Sequence, residues 1–434
     1  MNPENKKRRE DQRERIRREL RAYLSDQTDS PEQARGTHAH PRVPLGAPTY
    51  DADEVLEALD CMLEGRLTLG PRVEAFETAF AAWLGTRHAI MVNSGSSANL
   101  LIVSVLTNPA HSSPRPLAPG DEVLVPALTW STTLWPLIQN GLVPVLVDAD
   151  PSTLCMDVEA AESAVTSRTK ALFVAHILGN SCDMDAFSKL AEKHELILLE
   201  DSCEALGTRY RERLTGTFGY AASFSFYFSH HITTIEGGMV VTNDDEFADL
   251  VRCLRAHGWT RQMHNREHYE RRYSKVDPRF LFVNIGYNLR PTELQAAFGL
   301  HQLPKLGAFN RKRRRIAKRF MDELAPLRTR LMPIRPTSGA EHTYFGFPVL
   351  LAGDAMGQRR DFSRYLDNQG IENRPIVAGN LAHQPGLSLF EHRIAHPLRG
   401  ADHVMEQGIY WAIHPKMSDA DVSYVIKKVQ AYFA

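Results

Sequence analysis

The 434-residue sequence has few cysteines and no long apolar run. Its five cysteines, Cys61, Cys155, Cys182, Cys203 and Cys253, are odd in number and scattered, which excludes a disulfide framework and favours a reducing compartment. No two are spaced CxxC, so a zinc ribbon is disfavoured. No stretch approaches the roughly 20 apolar residues that span a bilayer, and the charged N-terminus lacks the apolar segment of a signal peptide. We therefore expect a cytoplasmic protein without a membrane partner.

The sequence also lacks an excess of either charge. It holds 51 Lys and Arg against 52 Asp and Glu, so its formal net charge is -1 and no global field favours nucleic acid. Hydrophobic residues make up 43% of the chain, which is enough for a sizeable core. The length predicts two or three domains, or one large fold with an appendage.

The first 47 residues are predicted to form a helical arm and a linker. The first 22 residues hold nine Lys or Arg and five Asp or Glu. Within them Ile16, Leu20, Tyr23 and Leu24 follow helical spacing, and we expect this narrow apolar stripe to dock on the body. An RNA-binding arm is the less favoured alternative. Residues 25–47 are rich in Ser, Pro, Gly and Thr, which is typical of a linker.

Residues 48–305 alternate helical patterns with short apolar runs at 122–126, 143–147, 171–175 and 196–199. Strands that are apolar on both faces are typical of a mostly parallel sheet between two helical layers. Residues 223–228 and 238–242 predict two further strands. Residues 306–434 predict a smaller C-terminal α+β domain, and the basic run at 310–316 is interpreted as a solvated helix face, since no aromatics accompany it.

Three segments carry candidate chemistry. The small-residue turn at 93–99 precedes a helix and suits a phosphate, although such clusters are also ordinary helix caps. Asp201 ends a buried strand, where it either pairs with a protonated ring nitrogen or caps the next turn. Residues 223–238 run from a strand into His230 and His231. A metal site there is disfavoured, because adjacent side chains diverge and no further ligand stands at suitable spacing.

Several motifs appear in an order that resembles the DegT/DnrJ/EryC1/StrS sugar aminotransferase family, which uses pyridoxal phosphate. The resemblance covers roughly residues 45–430. Its motifs are LGP (69–71), SGSS (94–97), PALTW (126–130), HILG (176–179), EDSCEALG (200–207), the serine-rich strand before His230 and GYNLRPTELQAA (286–297). The resemblance implies a fold-type I large domain, a small C-terminal domain and a homodimer with its sites at the subunit interface.

The resemblance also implies cofactor-binding residues. Ser96, Ser97 and Ser225 would hold the cofactor phosphate, and Trp130 would stack on the pyridine ring. Asp201 would pair with the ring nitrogen. Asn288 would reach the phosphate of the partner subunit's cofactor.

One position departs from the aminotransferase pattern. Family members that transaminate carry a lysine where this chain has His230, and that lysine binds the cofactor covalently. The segment 221–241 contains no lysine. Because an imidazole cannot form that bond, we expect a non-covalent cofactor, pyridoxamine phosphate, with His230 as a general base. The reference pKa of histidine, about 6.5, suits that role.

Within the family, histidine at this position resembles a subgroup of nucleotide-sugar 3-dehydratases. The segment 373–385, the charged N-terminal helix and Glu204, which replaces a usual glutamine at the cofactor site, agree with that subgroup. One branch of it couples dehydration to an iron–sulfur cluster. Since the corresponding segment 257–269 has no cysteine, no cluster is expected. Cys203, near the predicted site, is interpreted as a packing residue.

These features predict a C3-dehydratase that acts on an NDP-4-keto-6-deoxyhexose, with pyridoxamine/pyridoxal phosphate as cofactor and L-glutamate as amino donor. The nearest cluster-free analogue acts on GDP-4-keto-6-deoxymannose, so GDP is the expected nucleotide, while CDP and dTDP remain open. A C4 aminotransferase and a catalytically inactive family member are the alternatives.

Overall fold

The structure is a computed structural model that describes residues 3–26, 41–112 and 116–434. Most of the predicted linker, residues 27–40, lies outside the described residues. The α-helices are α1 Pro3–Asp26, α2 Ala52–Glu64, α3 Pro71–Leu84, α4 Gly95–Leu106, α5 Ser131–Gln139, α6 Val158–Ala164, α7 Met184–Lys193, α8 Asp245–Arg255, α9 Arg266–Arg272, α10 Glu293–Glu323, α11 Arg359–Asn368, α12 Arg399–Gln407 and α13 Asp419–Phe433. The strands are β1 His88–Val92, β2 Glu122–Pro126, β3 Val143–Val147, β4 Thr169–Ala175, β5 Ile197–Asp201, β6 Arg209–Tyr210, β7 Arg213–Leu214, β8 Ala221–Ser225, β9 Gly238–Thr242, β10 Leu331–Pro333, β11 Ala340–Glu341, β12 Gly346–Leu351, β13 Asn373–Pro375, β14 Arg393–Ile394 and β15 Gly408–Ala412.

The main sheet has the strand order β1-β9-β8-β5-β4-β2-β3-β14. Only β9 runs antiparallel to its neighbours, so the sheet is mostly parallel, as the apolar runs predict. Every residue of β2, β3, β8 and β9 is buried. Helices therefore cover both faces of the sheet, which confirms the predicted α/β architecture.

The strand predicted over residues 223–228 is wrong in its bounds, because β8 covers Ala221–Ser225. After Phe226 the chain leaves the sheet, and the backbone N–H of His230 donates to the carbonyl of Tyr227 (2.9 Å). That bond closes a turn outside the sheet. The strand therefore ends three residues earlier than predicted, which places Tyr227 and Phe228 with His230 in a loop at the sheet edge.

A second sheet, β10-β12-β15-β13, is antiparallel and packs with α11 and α13 around its own core, as predicted for the C-terminal region. Two features differ from the predicted division at residue 305. Helix α10 runs unbroken through that position, and β14 pairs with β3 at the edge of the main sheet. Val43, from the predicted linker, is buried in the small core beside Ile371. The two halves therefore share elements.

The solvated face predicted for residues 310–316 is only partly correct. Asn310, Arg313 and Ile316 are buried, while Arg311 and Arg315 are exposed. A spacing of three places the buried residues on one side of α10. The helix contributes Leu306 to a core of the large domain and Ile316 to the core of the small domain. Neither α10 nor any other helix in the described ranges is long and apolar enough to cross a membrane.

Helix α1 docks on α2 through ion pairs, and the predicted apolar stripe is not its main contact. Arg13 and Arg17 both bind the carboxylate of Asp60, and Arg21 lies 2.8 Å from Asp53. Ile16 and Tyr23 remain 46% and 60% exposed. The arm therefore docks as predicted, but chiefly through charge.

Candidate active site

A cavity of about 680 Å³ lies where the carboxyl ends of the parallel strands meet the small domain. The ends of β4, β5 and β8 and the loop after β2 form its floor, and the N-terminus of α4 forms one side. Phe345, Glu372, Arg374 and Tyr410 close it from the small domain. Ligands bind at this edge of open α/β sheets, because loops there converge on one crevice.

Asp201, the last residue of β5, is fixed on this floor by three donors. The side chains of Asn99 and Thr133 donate to its Oδ2, each at 2.8 Å, and the backbone N–H of Cys203 donates to Oδ1 at 3.1 Å. Thr133 is in turn 2.9 Å from the hydroxyl of Thr129. Asp201 is 8% exposed, so its carboxylate has a fixed position and an open side toward the cavity.

The N-terminus of α4 forms a cradle beside Ser225. Ser94 caps the helix, and its hydroxyl accepts from the backbone N–H of Ser97 (3.1 Å). Gly95 is required there, since an added Cβ would lie 2.6 Å from Cβ of Ser225 and 2.8 Å from Sγ of Cys203. The first N–H groups of a helix lack partners within it and attract anions. Ser96 and Ser225 line the cavity next to this helix end.

Trp130 borders the cavity at the start of α5 and is 56% exposed. A large apolar ring that stays open on a cavity wall can cover a flat aromatic ligand. The geometry therefore agrees with the stacking role that the family resemblance implies.

His230 lines the same cavity from the loop that follows β8. Its ring contacts Phe345 edge-on, with the ring centroids 4.9 Å apart, and its Nδ1 has no hydrogen-bond partner within the described residues. Burial, aided by the positive charge of Arg313, lowers the pKa of His230 to about 3. The imidazole is therefore neutral near pH 7 and has a free nitrogen to accept a proton.

Glu204 is the second ionisable group of unusual pKa in the cavity. Its Oε2 accepts from the backbone N–H of Leu178 at 2.8 Å. Burial, and to a smaller degree the charge of Asp201, raises the pKa of Glu204 to about 7. Near neutral pH its carboxyl group is therefore partly protonated and partly ionised, so it can either donate or accept a proton.

Two predicted site residues do not line the cavity. The hydroxyl of Ser97 accepts from Ser94 (2.9 Å) and contributes to the helix cap. Asn288 is exposed, and its Oδ1 accepts from Nε of Arg290 (2.9 Å). His231 is fully buried, and the described residues include no group of three potential metal ligands.

Sequence reasoning missed the residues that support the site. Asn99 stands at the end of the small-residue turn and on the first turn of α4, which was a usable signal for its inward position. Thr133 lies on the first turn of α5, three residues after Trp130. Phe345 and Arg313 come from elements far away in sequence, and no local pattern marks them.

The comparisons with known proteins agree with this geometry. The family model described as DegT/DnrJ/EryC1/StrS aminotransferase family matches residues 48–430. This chain belongs to that family. A dTDP-4-dehydro-2,6-dideoxy-D-glucose 3-dehydratase of Saccharopolyspora spinosa is 37% identical over 434 residues, which is 98% of this chain and 93% of the relative. The family membership confirms the predicted fold class, a fold-type I pyridoxal-phosphate-dependent transferase.

Two further relatives share the predicted subgroup. A GDP-4-keto-6-deoxy-D-mannose 3-dehydratase of Yersinia pseudotuberculosis is 38% identical over 391 residues, covering 89% of this chain and 96% of the relative. A crystal structure of GDP-4-keto-6-deoxymannose-3-dehydratase with a trapped PLP-glutamate geminal diamine superposes with a TM-score of 0.82 and 34% identity. The superposition covers 89% of this chain and 99% of the chain in that structure.

Proposed function

We propose that this protein is a C3-dehydratase of an NDP-4-keto-6-deoxyhexose that uses pyridoxamine/pyridoxal phosphate. The observation that carries the proposal is the identity of the cavity-lining residue in the loop after β8. His230 stands there, and no lysine is among the described residues that line the cavity. An aminotransferase of this family needs a lysine at that place, whereas a dehydratase needs only a base.

The residues of the cavity fit the cofactor. A carboxylate fixed by three donors suits a protonated pyridine nitrogen, and the α4 N-terminus with Ser96 and Ser225 suits a phosphate. Trp130 would cover the ring, while Glu204 would face its polar edge. His230 lines the same cavity, so its imidazole would lie beside the bound cofactor. Ser97 would act through the helix cap rather than by contact.

The bound cofactor would supply an amine that condenses with the C4 ketone and a ring that accepts electrons. Asp201 would keep the ring nitrogen protonated, which is the condition for that electron acceptance. The neutral His230 would remove a proton and return it to the C3 hydroxyl as that group leaves as water. Glu204 is placed to donate a hydrogen bond while it holds a proton.

L-Glutamate is the proposed source of the two electrons. Over a full cycle the C3 hydroxyl is replaced by hydrogen, while glutamate becomes 2-oxoglutarate and releases ammonia, so atoms and electrons balance. The trapped glutamate adduct in the related structure supports this amino donor. The GDP-sugar relative supports GDP-4-keto-6-deoxymannose as substrate, and the relative from S. spinosa keeps a dTDP-sugar open.

Product mass tests this function directly. The protein, loaded with pyridoxamine phosphate, is incubated with L-glutamate and in turn with the GDP-, CDP- and dTDP-linked 4-keto-6-deoxy sugars. We expect one substrate to lose a single oxygen and give a 4-keto-3,6-dideoxy sugar, with GDP favoured. A product that keeps the C3 oxygen and gains an amino group at C4 would show an aminotransferase instead. No cofactor binding and no product with any sugar would show an inactive family member.

We propose further that the protein is a homodimer and that Asn288 serves the partner's site. Asn288 is exposed outside the cavity, beside the exposed side chains of Ile285 and Tyr287. Subunit complementation tests this assignment. When Asn288→Ala and His230→Asn chains are mixed, one intact site per mixed dimer should restore activity. Absence of restoration, with mixed dimers present, would place Asn288 at its own subunit's site or at none.

A cytoplasmic location and the absence of an iron–sulfur cluster complete the proposal. All five cysteines are free and four of them are buried, with Cys155 and Cys182 next to each other in one core cluster. The segment 257–269 offers no thiolate for a cluster. Iron analysis of active protein purified without oxygen tests this point, and iron in stoichiometric amount would contradict it.

A further inference from the structure

Arg313 lies behind the loop that carries His230, and no ion pair joins it to a carboxylate in the described part of the chain. It projects from the middle of α10 and is 2% exposed. A buried guanidinium usually has an acidic partner, because an uncompensated charge in the interior is costly. A protein that keeps such a cation uses its charge or its donors for something else.

The donors of Arg313 join three parts of the chain. Its Nη1 donates to the carbonyls of Tyr344 (3.1 Å), Phe345 (3.2 Å) and Ile413 in the small domain. Its Nη2 lies 3.5 Å from the carbonyl of His230. One guanidinium therefore ties the loop of His230 to both chain segments of the small domain that pass behind it.

Phe345 is held by the same cation and in turn holds the imidazole. Its carbonyl accepts from Arg313, while its ring meets the ring of His230 at 79° with the centroids 4.9 Å apart. An edge-to-face contact of this kind restricts the rotation of both rings. Arg313 thus fixes the backbone of His230 and the aromatic wall against which its side chain rests.

The charges around His230 leave Arg313 as the main electrostatic influence. Behind it, His231, His342 and His414 are buried, and burial lowers the pKa of each. On the cavity side the ionisable groups are His176, Asp201, Cys203, Glu204, Tyr227, Glu236, Glu372, Arg374 and Tyr410. After burial, Arg313 is the group that lowers the pKa of His230.

The geometry points to Arg313 as a positioning residue that orients His230 from the small domain. This role rests on the proposed dehydratase function, in which His230 is the base. It adds to that function a residue, Arg313 on α10, that supports the acid–base role of His230 without contacting the substrate.

Two variants separate the effect of the hydrogen-bond donors of Arg313 from the effect of its positive charge. Arg313→Met removes the donors and the charge together. We expect its kcat to fall about 10- to 100-fold because the imidazole of His230 loses its fixed orientation. The pKa of His230, followed by NMR of the histidine ring carbons, should rise by about one unit. Arg313→Lys cannot reach four carbonyls from one ammonium. It should therefore lower kcat while shifting the pKa of His230 less.

Arg255→Lys is the matched control. Arg255 is equally buried, binds Glu77 and the carbonyl of Met91, and lies outside the cavity lining. It should leave the kcat and the His230 titration unchanged. Phe345→Leu keeps the cation and removes the aromatic wall, so kcat should fall with little change in the pKa of His230, and this variant tests the role even if Arg313→Met fails to fold.

The outcomes distinguish this role from the function itself. An unchanged His230 titration and kcat in folded Arg313→Met or Arg313→Lys would overturn the positioning role. Equal losses in Arg255→Lys would reduce Arg313 to a general contribution to stability. Loss of the dehydratase function alone would leave the NMR shift intact, because that shift is measured without substrate.

Discussion

Asp201 and His230 face the same cavity and are held in opposite ways. Three donors fix the carboxylate of Asp201, whereas Nδ1 of His230 has no partner in the described residues and the ring is held by an aromatic contact. A group that must keep one charge state benefits from fixed donors, because they stabilise the ionised form. A group that must gain and lose a proton benefits from their absence. The contrast separates an electrostatic anchor from an acid–base group.

The largest expected effect comes from removing the acid–base group. His230→Asn should lower the rate of dehydration about 10²- to 10⁴-fold, because an amide cannot take up the proton. Cofactor binding, measured by absorbance, should persist. His231→Asn, at the buried neighbour outside the cavity, should retain most of the activity. A His230→Asn variant that still dehydrates at the normal rate would contradict the assigned base.

Removing the charge of the anchor comes next. Asp201→Asn keeps the size of the side chain and loses the carboxylate that would keep the ring nitrogen protonated, so kcat should fall about 100-fold. Steady-state kinetics and cofactor titration measure the loss. Asp157→Asn serves as control, since Asp157 only caps α6 and asparagine caps equally well. Equal activity of the Asp201 variant and wild type would show that the anchor has another purpose.

Weakening the anchor without removing it gives a smaller effect. Thr133→Val deletes one hydrogen bond to the carboxylate of Asp201, and a bond to a charged group contributes about 1.5–3 kcal/mol. We expect roughly tenfold weaker cofactor binding, measured by fluorescence titration. Thr129→Val removes only the contact behind Thr133 and should have less effect. The reverse order would contradict the arrangement around Asp201.

How far the site could be predicted depends on whether the signal was local. Asp201 was found because it ends a strand at the sheet edge, where strand ends converge. His230 was found because the family resemblance places it where transaminating members carry a lysine. Arg313 was misjudged, since a run of basic residues on a helix resembles a solvated face when the packing of every third residue is unknown. Phe345 approaches His230 from more than 100 residues away, so no spacing in the sequence marks it.

The fold could likewise be predicted only where the signal in the sequence was local. Buried apolar strands predicted the main sheet, whereas β14 with only two residues gave no apolar pattern and joined the sheet through pairing with β3. The arm α1 was predicted to dock by apolar contact, but Asp53 and Asp60 on α2 offer carboxylates that its arginines bind. Tertiary partners of this kind are not visible from one segment alone.

A separate effect, on stability rather than on catalysis, is expected at Glu204, whose pKa is raised by burial to about 7 from an ordinary 4.5. The folded state holds this proton up to a higher pH than the unfolded state, so the folded state loses stability as pH rises from about 4.5 to 7. The Glu204→Gln variant should not show this loss. Relative to that variant, wild type should lose about 2.5 kcal/mol of unfolding free energy between pH 5 and pH 8, measured by urea denaturation. If the unfolding free energies of wild type and Glu204→Gln changed equally with pH, the raised pKa of Glu204 would be contradicted.

The central claim, that His230 acts without a covalent bond to the cofactor, is tested most directly by borohydride reduction and intact-protein mass. Wild type incubated with pyridoxal phosphate should keep its mass after reduction, while His230→Lys should gain the mass of one reduced cofactor at residue 230. Peptide mapping locates the label in both proteins. A wild-type protein that gains one stoichiometric label inside the cavity would contradict the account.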